Sequence, residues 1–298
     1  MRRFSGGHLA VVGSVLACAL ALVQAVPASA SSSTATSASS SKHNGYLALG
    51  DSVPYGFDPL LLKPGVDPDS FVGYPQLASS LFKQKLQLTN ASCPGETSTS
   101  LITGTRPDNG CQDYRQFIGK LHVSYPGSQL QYAKTYLAAN PQTKLVSLSI
   151  GGNELFQLRE ITCAGAANVE ACMIVGLPAV LRTLKANLST IYSSLRAAGF
   201  RGELVVSTYY STNYADPFVT AMAFALDHAL VTETRSHGGK ILDGFGAFGK
   251  ASLPFKGDTC KAGLLIHLTP TTCDIHPSPA GAALLARALH SAVKPAEH

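Results

Sequence analysis

The chain has 298 residues, of which 45% are hydrophobic and only 14% are charged. This composition supports a sizeable buried core and excludes a disordered chain or a coiled coil. The formal net charge is +5, but lysine and arginine form no dense cluster that could follow a phosphate backbone, so we predict no nucleic-acid partner.

The first thirty residues have the pattern of an export signal. Arg2 and Arg3 give a basic start, residues 9–26 are largely apolar, and an Ala-Ser-Ala sequence at 28–30 offers a cleavage site. Because no stop-transfer pattern follows, we predict that residues 1–30 are a cleaved signal peptide. The mature protein is then expected to be secreted, with no stable membrane span.

A segment rich in serine, threonine and alanine comes next. Such a composition cannot bury apolar surface, so residues 31–44 are predicted to form a flexible leader. The folded domain is expected to occupy residues 45–298.

Beyond the leader, short apolar runs alternate with amphipathic segments. Strands are predicted at residues 46–49, 86–90, 144–150, 203–210 and 240–242. Helices are predicted at residues 74–85, 128–139, 217–235 and 279–293, and around the stripe Leu181, Leu184, Leu188, Ile191 and Leu195, with Pro178 near its start. This alternation predicts an α/β fold in which helices cover both faces of a parallel sheet. Ligands bind such sheets outside the carboxyl ends of the strands.

Six cysteines remain if Cys18 leaves with the signal peptide. An even number in an exported protein indicates disulfides, and six cysteines allow fifteen connectivities. The simplest is sequential, because each pair then closes one local loop: Cys93–Cys111, Cys163–Cys172 and Cys260–Cys273. Neither CxxC nor HExxH occurs, so nothing predicts a metal site.

Residues able to carry chemistry follow the first three predicted strands. Ser52 follows the first strand in the sequence Gly-Asp-Ser and could be an exposed nucleophile, although an ordinary strand-to-loop turn would look the same. Gly95 follows the second strand and lets the backbone approach a ligand closely. Asn153 follows the third strand and could aim an amide donor at the same point.

A histidine near the C-terminus completes this set. Ser278 and Pro279 have the pattern of an N-cap followed by a first-turn proline, so His276 is predicted on the loop that enters the last helix. A single histidine is more often structural than catalytic. His267, in the same cysteine-bounded loop, is the only rival.

Together these four segments resemble the SGNH, or GDSL-type, hydrolase family, and most of all its secreted bacterial esterases and lipases. The matching residues are GDS at 50–52, the isolated Gly95, G-x-N at 151–153 and HP at 276–277, in the family's order. The resemblance covers nearly the whole domain and implies a flavodoxin-like, three-layer α/β/α fold. It also implies Ser52 as nucleophile, His276 as base, and Gly95 and Asn153 as oxyanion donors together with the Ser52 backbone N–H.

Two positions depart from the family's pattern. The family usually has Asp after the Asn of its third motif, where this chain has Glu154, whose role stays open. It usually has Asp three residues before the histidine, where this chain has Cys273, and Asp274 is only two residues before. We predict Asp274 as the partner of His276, reaching Nδ1 only if the loop bends. A backbone carbonyl is the alternative partner.

These assignments predict a carboxylic ester hydrolase that needs no cofactor. Histidine, with an ordinary pKa of about 6.5, suits a base that activates a serine hydroxyl for attack on an ester, through an acyl-enzyme that water releases. The expected substrate is a small-molecule or lipid ester. Two alternatives stay open: a catalytically inactive carbohydrate- or surface-binding module on the same fold, and an acyltransferase.

Apolar side chains flank the proposed site and favour an apolar acyl pocket, although several could equally be core residues: Val53, Pro54, Tyr55, Phe57, Leu60, Leu61 and Phe156. A GxGxxG match at residues 244–249 is not assigned to a dinucleotide. Residues 250–254 are not expected to open a helix, and no acidic residue follows about 20 residues later.

Overall fold

A five-stranded sheet forms the centre of the domain. The structure is a computed structural model that describes residues 44–293; the predicted signal peptide, nearly all of the predicted leader and residues 294–298 lie outside that range. The strands are β1 (Gly45–Gly50), β2 (Gln87–Asn90), β3 (Thr143–Ser149), β4 (Glu203–Ser207) and β5 (Lys240–Leu242). All neighbours are parallel, in the order β2-β1-β3-β4-β5. This is the flavodoxin-like order, and the predicted α/β fold is confirmed.

Helices connect the strands and surround the sheet. The α-helices of the described residues are α1 (Ser52–Tyr55), α2 (Tyr74–Ser79), α3 (Ser98–Thr103), α4 (Cys111–Asp113), α5 (Gln129–Ala139), α6 (Gly152–Gln157), α7 (Val169–Ala197), α8 (Pro217–Ser236), α9 (Gly244–Ser252) and α10 (Pro279–Val293). Two π-helical turns, Tyr114–Ile118 and Leu158–Thr162, continue α4 and α6. Short 3₁₀ turns lie at Pro59–Leu61, Pro68–Ser70 and Leu253–Phe255. An antiparallel hairpin, β6 (Leu265–His267) and β7 (Cys273–Pro277), precedes α10.

Successive side chains of each strand point to opposite helix layers. On β1, Leu47 and Leu49 pack with α3, α5, α7 and α8, whereas Tyr46 and Ala48 pack with α2, α9 and α10. Because β1 lies inside the sheet, all of its residues are buried. Helices therefore cover both faces, and the architecture is three layers, α/β/α.

Three predicted boundaries were wrong. Helix α7 begins at Val169, so Pro178 lies inside the helix; Met173 and Leu177 extend the buried stripe, and Asn168 caps the helix by accepting a hydrogen bond from Ala171 N at 2.9 Å. Helix α2 ends at Ser79 instead of residue 85, because the residues that follow are mostly exposed and have little to pack against. Strand β4 ends at Ser207, where its partner β5 also ends.

The GxGxxG segment forms most of helix α9, so residues 250–254 end a helix and do not open one, as expected. Asp243 caps this helix by accepting a hydrogen bond from Gly246 N at 2.8 Å. A Cβ on Gly244 would lie 2.5 Å from the carbonyl oxygen of Thr208. The glycine therefore permits close packing of α9 on the end of β4.

Three disulfides join the six described cysteines in sequential order, Cys93–Cys111, Cys163–Cys172 and Cys260–Cys273. The first connects the loop after β2 to α4, and the second connects the π-helical turn after α6 to the start of α7. The third connects the loop before β6 to the start of β7. Within residues 44–293, no helix combines the length and apolar character that crossing a membrane requires.

Candidate active site

The turn after β1 presents Ser52 at the carboxyl end of the sheet. Gly50 has φ +127°, and a Cβ there would lie 1.9 Å from the carbonyl oxygen of Ser149, so only glycine fits. Asp51 then caps α1 by accepting a hydrogen bond from Val53 N at 3.0 Å. Ser52 is the first residue of α1, is partly exposed and lines a cavity.

Strand β7 brings Asp274 and His276 to the same cavity. Leu265 pairs with Pro277 and His267 with Cys273, so a step of two residues on β6 spans four on β7, and the strand is irregular where Asp274 and His276 lie. The hydrogen bond from His276 N back to the Asp274 side chain has the pattern of an Asx turn, so the local bend that we expected is present. Oδ1 of Asp274 accepts a hydrogen bond from His276 N at 3.0 Å and contacts Nδ1 of the same ring. Burial tends to raise the pKa of Asp274, but the hydrogen bonds and charge of His276 outweigh burial and lower it.

Two aromatic residues hold the histidine strand in place. The Phe57 ring packs on the His276 imidazole, with ring centroids 4.9 Å apart. The Tyr210 hydroxyl donates a hydrogen bond to the carbonyl oxygen of Ile275 at 2.7 Å. The rival histidine, His267, is exposed and lies outside the cavity lining, with its Nδ1 3.4 Å from the carbonyl oxygen of Thr269.

Gly95 lies in a tight turn between Cys93 and Glu96. Glu96 N donates to the carbonyl oxygen of Cys93 at 3.1 Å, and Gly95 has φ +81° after a proline, as in a type II turn. A Cβ on Gly95 would lie 2.3 Å from the carbonyl oxygen of Asn109. Gly95 lines the cavity, and its carbonyl oxygen accepts a hydrogen bond from Asn109 N at 2.7 Å. The Cys93–Cys111 disulfide keeps these two segments together.

Asn153 lies in the first turn of α6, where its side chain is held at both ends. Its Nδ2 donates to the carbonyl oxygen of Glu96 at 2.9 Å, and its Oδ1 accepts from Nδ2 of Asn109 at 2.9 Å. Asn153 is 6% exposed and lines the cavity. We did not identify Asn109 from the sequence; its position two residues before Cys111 was the available signal.

Glu154, which stands where the family usually has Asp, does not line the cavity. Its Oε1 accepts a hydrogen bond from Ser98 N at 2.7 Å, at the start of α3. Its Oε2 is buried and has no hydrogen-bond partner among the described residues. Burial raises the pKa of this carboxyl. The contact joins α6 to the start of α3.

Tyr209 is a second residue that sequence reasoning missed. Its hydroxyl donates to Oδ2 of Asp51, and its backbone N donates to Oδ1 of Asp227 at 2.7 Å. Burial raises the pKa of Asp51 to about 7, while the hydrogen bonds from Tyr209 and Val53 lower it. Tyr209 follows the end of β4, so the correct strand boundary would have placed it beside the other loops.

The cavity that these residues share has a volume of about 660 Å³. The polar residues described above line it together with Arg159, Glu160 and Thr212, and the rest of its wall is largely apolar. The apolar wall comes from α6, α7 and α8: Leu155, Met173, Phe218, Met222 and Leu226. Among the apolar residues expected at the site, Val53, Phe57 and Phe156 line the cavity, whereas Pro54 and Tyr55 belong to the core and Leu60 and Leu61 are exposed outside it.

Two groups of residues have the proximity of metal ligands, namely Cys93, Glu96 and Cys111, and Cys260, His267 and Cys273. In both groups the two cysteines are bonded to each other, so neither offers a thiolate. Neither group has the chemistry of a metal site.

A model of the GDSL-like lipase/acylhydrolase family matches residues 48–284. No curated protein matches the chain significantly. Among solved structures, phospholipase A1 from Streptomyces albidoflavus NA297 is 22% identical, with TM-score 0.55, over 84% of this chain and 99% of its own. An extracellular lipase from Streptomyces rimosus is 19% identical, with TM-score 0.56 and the same coverage. A mutant acetyl-xylooligosaccharide esterase from Geobacillus is 15% identical, with TM-score 0.53, over 86% of this chain and 98% of its own. At these identities the structures show a shared fold.

Proposed function

This chain belongs to the GDSL-like lipase/acylhydrolase family, and from that premise we propose that it is a secreted serine ester hydrolase of the esterase or lipase type. Ser52 forms the acyl-enzyme, and His276 is the base. One observation carries the proposal: Ser52 lines the same cavity as the hydrogen-bonded pair Asp274 and His276. Hydroxyl, imidazole and carboxylate are the three groups that a serine hydrolase uses.

The reaction has two steps that use the same base. In the first, Oγ of Ser52 attacks the ester carbonyl carbon while Nε2 of His276 takes the hydroxyl proton and passes it to the departing alcohol. In the second, water attacks the acyl-enzyme and gives a proton to Nε2, which passes it to Oγ of Ser52 as the carboxylic acid leaves. Asp274 contacts Nδ1, which leaves Nε2 for the proton transfer and stabilises the positive charge that the ring then carries.

The oxyanion is assigned to the backbone N–H groups of Ser52 and Gly95 and to the amide of Asn153. An amide nitrogen carries two N–H groups, and Asn153 uses one of them for the carbonyl oxygen of Glu96. The other remains for the oxyanion. Asn109 donates to Oδ1 of Asn153, which determines which end of the amide is the donor end. Such donors act mainly in the transition state, because they are aimed at charge that develops there.

The acyl group is assigned to the apolar part of the cavity. A volume of about 660 Å³ is in the range of sites that enclose small organic ligands. Met173, Phe218 and Met222 offer an apolar wall, which favours an alkyl chain over a sugar, and Arg159 and Glu160 are charged residues that also line the cavity. Burying a methylene is worth about 0.8 kcal/mol, so affinity is expected to rise with chain length until the cavity is full.

An acyltransferase would use the same acyl-enzyme and differ only in the acceptor. It is distinguished by adding an alcohol to the assay and measuring the ratio of transferred to hydrolysed product. An inactive binding module would hydrolyse nothing. The paired carboxylate and imidazole argue against that alternative, because a binding module has no need of them.

A panel of p-nitrophenyl esters from acetate to palmitate tests the proposal. We expect hydrolysis by the purified mature protein, with an optimum chain length. Ser52→Ala should abolish it while circular dichroism shows an intact fold, and an organophosphate should label Ser52 alone. Retained activity in this variant, or labelling at another residue, would refute the nucleophile assignment.

Secretion is supported by the three disulfides, because such bonds persist in oxidising compartments outside the cytosol. N-terminal sequencing of protein recovered from the culture medium should find Ser31 as the first residue. Recovery of the activity only in the cytosolic fraction would contradict this part of the proposal.

A further inference from the structure

A buried glutamine lies between the nucleophile turn and the Gly95 turn. Gln129, the first residue of α5, is 1% exposed. Its Oε1 accepts a hydrogen bond from Gly50 N at 2.6 Å, and its Nε2 donates to the carbonyl oxygen of Gly50 at 3.0 Å. The amide thus binds both polar groups of the residue that ends β1, two positions before Ser52.

The same amide reaches the loop that carries the second oxyanion donor. Nε2 of Gln129 donates to Oε2 of Glu96 at 3.0 Å, and Oε1 of Glu96 accepts a hydrogen bond from the Ser100 hydroxyl. Glu96 directly follows Gly95 and is 1% exposed. Its backbone carbonyl oxygen accepts the hydrogen bond from Asn153 described above.

Through these bonds, Gln129 and Glu96 are connected to all three groups assigned to the oxyanion. Gly50 lies two residues before Ser52, and Glu96 lies directly after Gly95, so each is close in the chain to a backbone donor. The carbonyl oxygen of Glu96 accepts a hydrogen bond from the amide of Asn153. We propose that Gln129 and Glu96 form a positioning clamp that sets the distance between the nucleophile turn and the oxyanion donors. The role assigned to the clamp rests on the function proposed above.

The chemistry of the two side chains gives this proposal a specific form. At position 129 an amide is required, because one end must accept from Gly50 N while the other donates to the Gly50 carbonyl and to Glu96. At position 96 an acceptor is required toward Gln129, together with a group that pairs with the Ser100 hydroxyl. A glutamine can meet both demands at position 96, since a hydroxyl is both donor and acceptor.

Substitutions that preserve shape separate the clamp from simple packing. Gln129→Met keeps the size of the side chain and removes its hydrogen bonds. We expect kcat to fall about 10²-fold with KM within about threefold of the wild type, because a displacement of about 1 Å in a catalytic group costs about that much. The affinity for a trifluoromethyl ketone, which forms the tetrahedral adduct on Ser52, should fall in parallel.

Variants at position 96 and a matched control complete the test. Glu96→Met should resemble Gln129→Met, whereas Glu96→Gln should retain at least tenfold more of kcat than Glu96→Met. Tyr192→Phe removes a different buried hydrogen bond, 2.9 Å to Thr234 Oγ1 between α7 and α8. It should lower thermal stability and leave kcat unchanged.

Hydrogen–deuterium exchange tests whether Gln129 binds the Gly50 N–H, and it needs no substrate. Gly50 N–H should exchange at least about tenfold faster in Gln129→Met than in the wild type or in Tyr192→Phe, since its acceptor is gone. Unchanged exchange at Gly50 would overturn the clamp whatever the activity. Unchanged kcat in Gln129→Met, in a wild type that hydrolyses esters, would overturn the positioning role alone. A wild type without activity would refute the proposed function, and the exchange would still decide whether Gln129 holds the turn.

Discussion

Replacing Asp274 tests how the histidine is oriented. The structure has an unusual feature here, because one oxygen, Oδ1, contacts both the backbone N and Nδ1 of His276. Asp274→Ala removes this oxygen, so the ring loses its partner and the imidazolium that forms during the reaction loses its counter-charge. Asp274→Asn keeps an oxygen that the backbone N–H can still hold in place, and removes only the charge.

The two variants should therefore differ in magnitude. Loss of the acid from a serine-protease triad lowers kcat about 10⁴-fold, or about 5.4 kcal/mol, and we expect a loss of that order for Asp274→Ala. A hydrogen bond to a charged group is worth about 1.5–3 kcal/mol, against about 1 for a neutral pair. In that protease the asparagine variant loses about 10⁴-fold because the histidine takes the wrong tautomer. Here the backbone N–H of His276 would hold the asparagine oxygen toward Nδ1, so the loss of charge alone in Asp274→Asn should cost about 2- to 30-fold. KM should change little in either variant.

Steady-state hydrolysis of a soluble p-nitrophenyl ester measures these effects, with the fold checked by circular dichroism. Asp258→Ala is the matched control, because Asp258 is also paired, with Lys261 at 2.7 Å, in the same part of the chain but away from the cavity. A loss below tenfold for Asp274→Ala would refute Asp274 as the partner. Equal losses in the alanine and asparagine variants would refute the shared-oxygen argument.

Three further outcomes are expected. Asn153→Ala should lower kcat about 10²–10³-fold with little change in KM, and a loss confined to KM would instead make Asn153 a substrate contact. Dithiothreitol should lower both activity and melting temperature, because two disulfides hold the Gly95 turn and β7; thiol titration of the unreduced mature protein should find none, and six titratable thiols would contradict the disulfides. Burial raises the pKa of Asp51 and Glu96 to about 7 and of Asp227 to about 8. Each of these carboxyls therefore holds its proton in the folded state from about pH 4 up to its raised pKa, and the free energy of unfolding should fall as pH rises through that window. The melting temperature should be at least about 5 °C higher at pH 5 than at pH 8; a higher value at pH 8 would contradict these directions.

Much of the fold could be read from the sequence because it depends on local patterns. Apolar runs and the helical spacing of apolar residues are visible within short stretches of sequence. The parallel sheet and its two helix layers were therefore predicted correctly. The four segments at the cavity were recognisable for the same reason. Each is a short motif that follows a strand or precedes a helix, and Pro94 before Gly95 is itself a turn signal.

Local patterns predicted the ends of helices and strands least accurately, because where an element ends depends on what it packs against. Helix α7 extends N-terminal to Pro178 because Met173 and Leu177 are buried in an apolar cluster with Leu158. The orientation of Asp274 and His276 depends on an irregularity in β7, where its pairing with β6 shifts register. Nothing in the residues around position 274 showed that this segment would pair with β6.

The sequence by itself determined the parallel α/β sheet and which residues stand at its carboxyl edge. Only the tertiary structure decided which polar side chains support them. Gln129 lies 79 residues from Gly50, Tyr209 lies 158 residues from Asp51, and Asn109 lies 44 residues from Asn153. The local patterns used for prediction span far fewer residues than separate the two members of each pair. Their hydrogen bonds exist because packing of the strands and helices brings distant loops together and excludes water, so that each buried donor must find an acceptor in the protein.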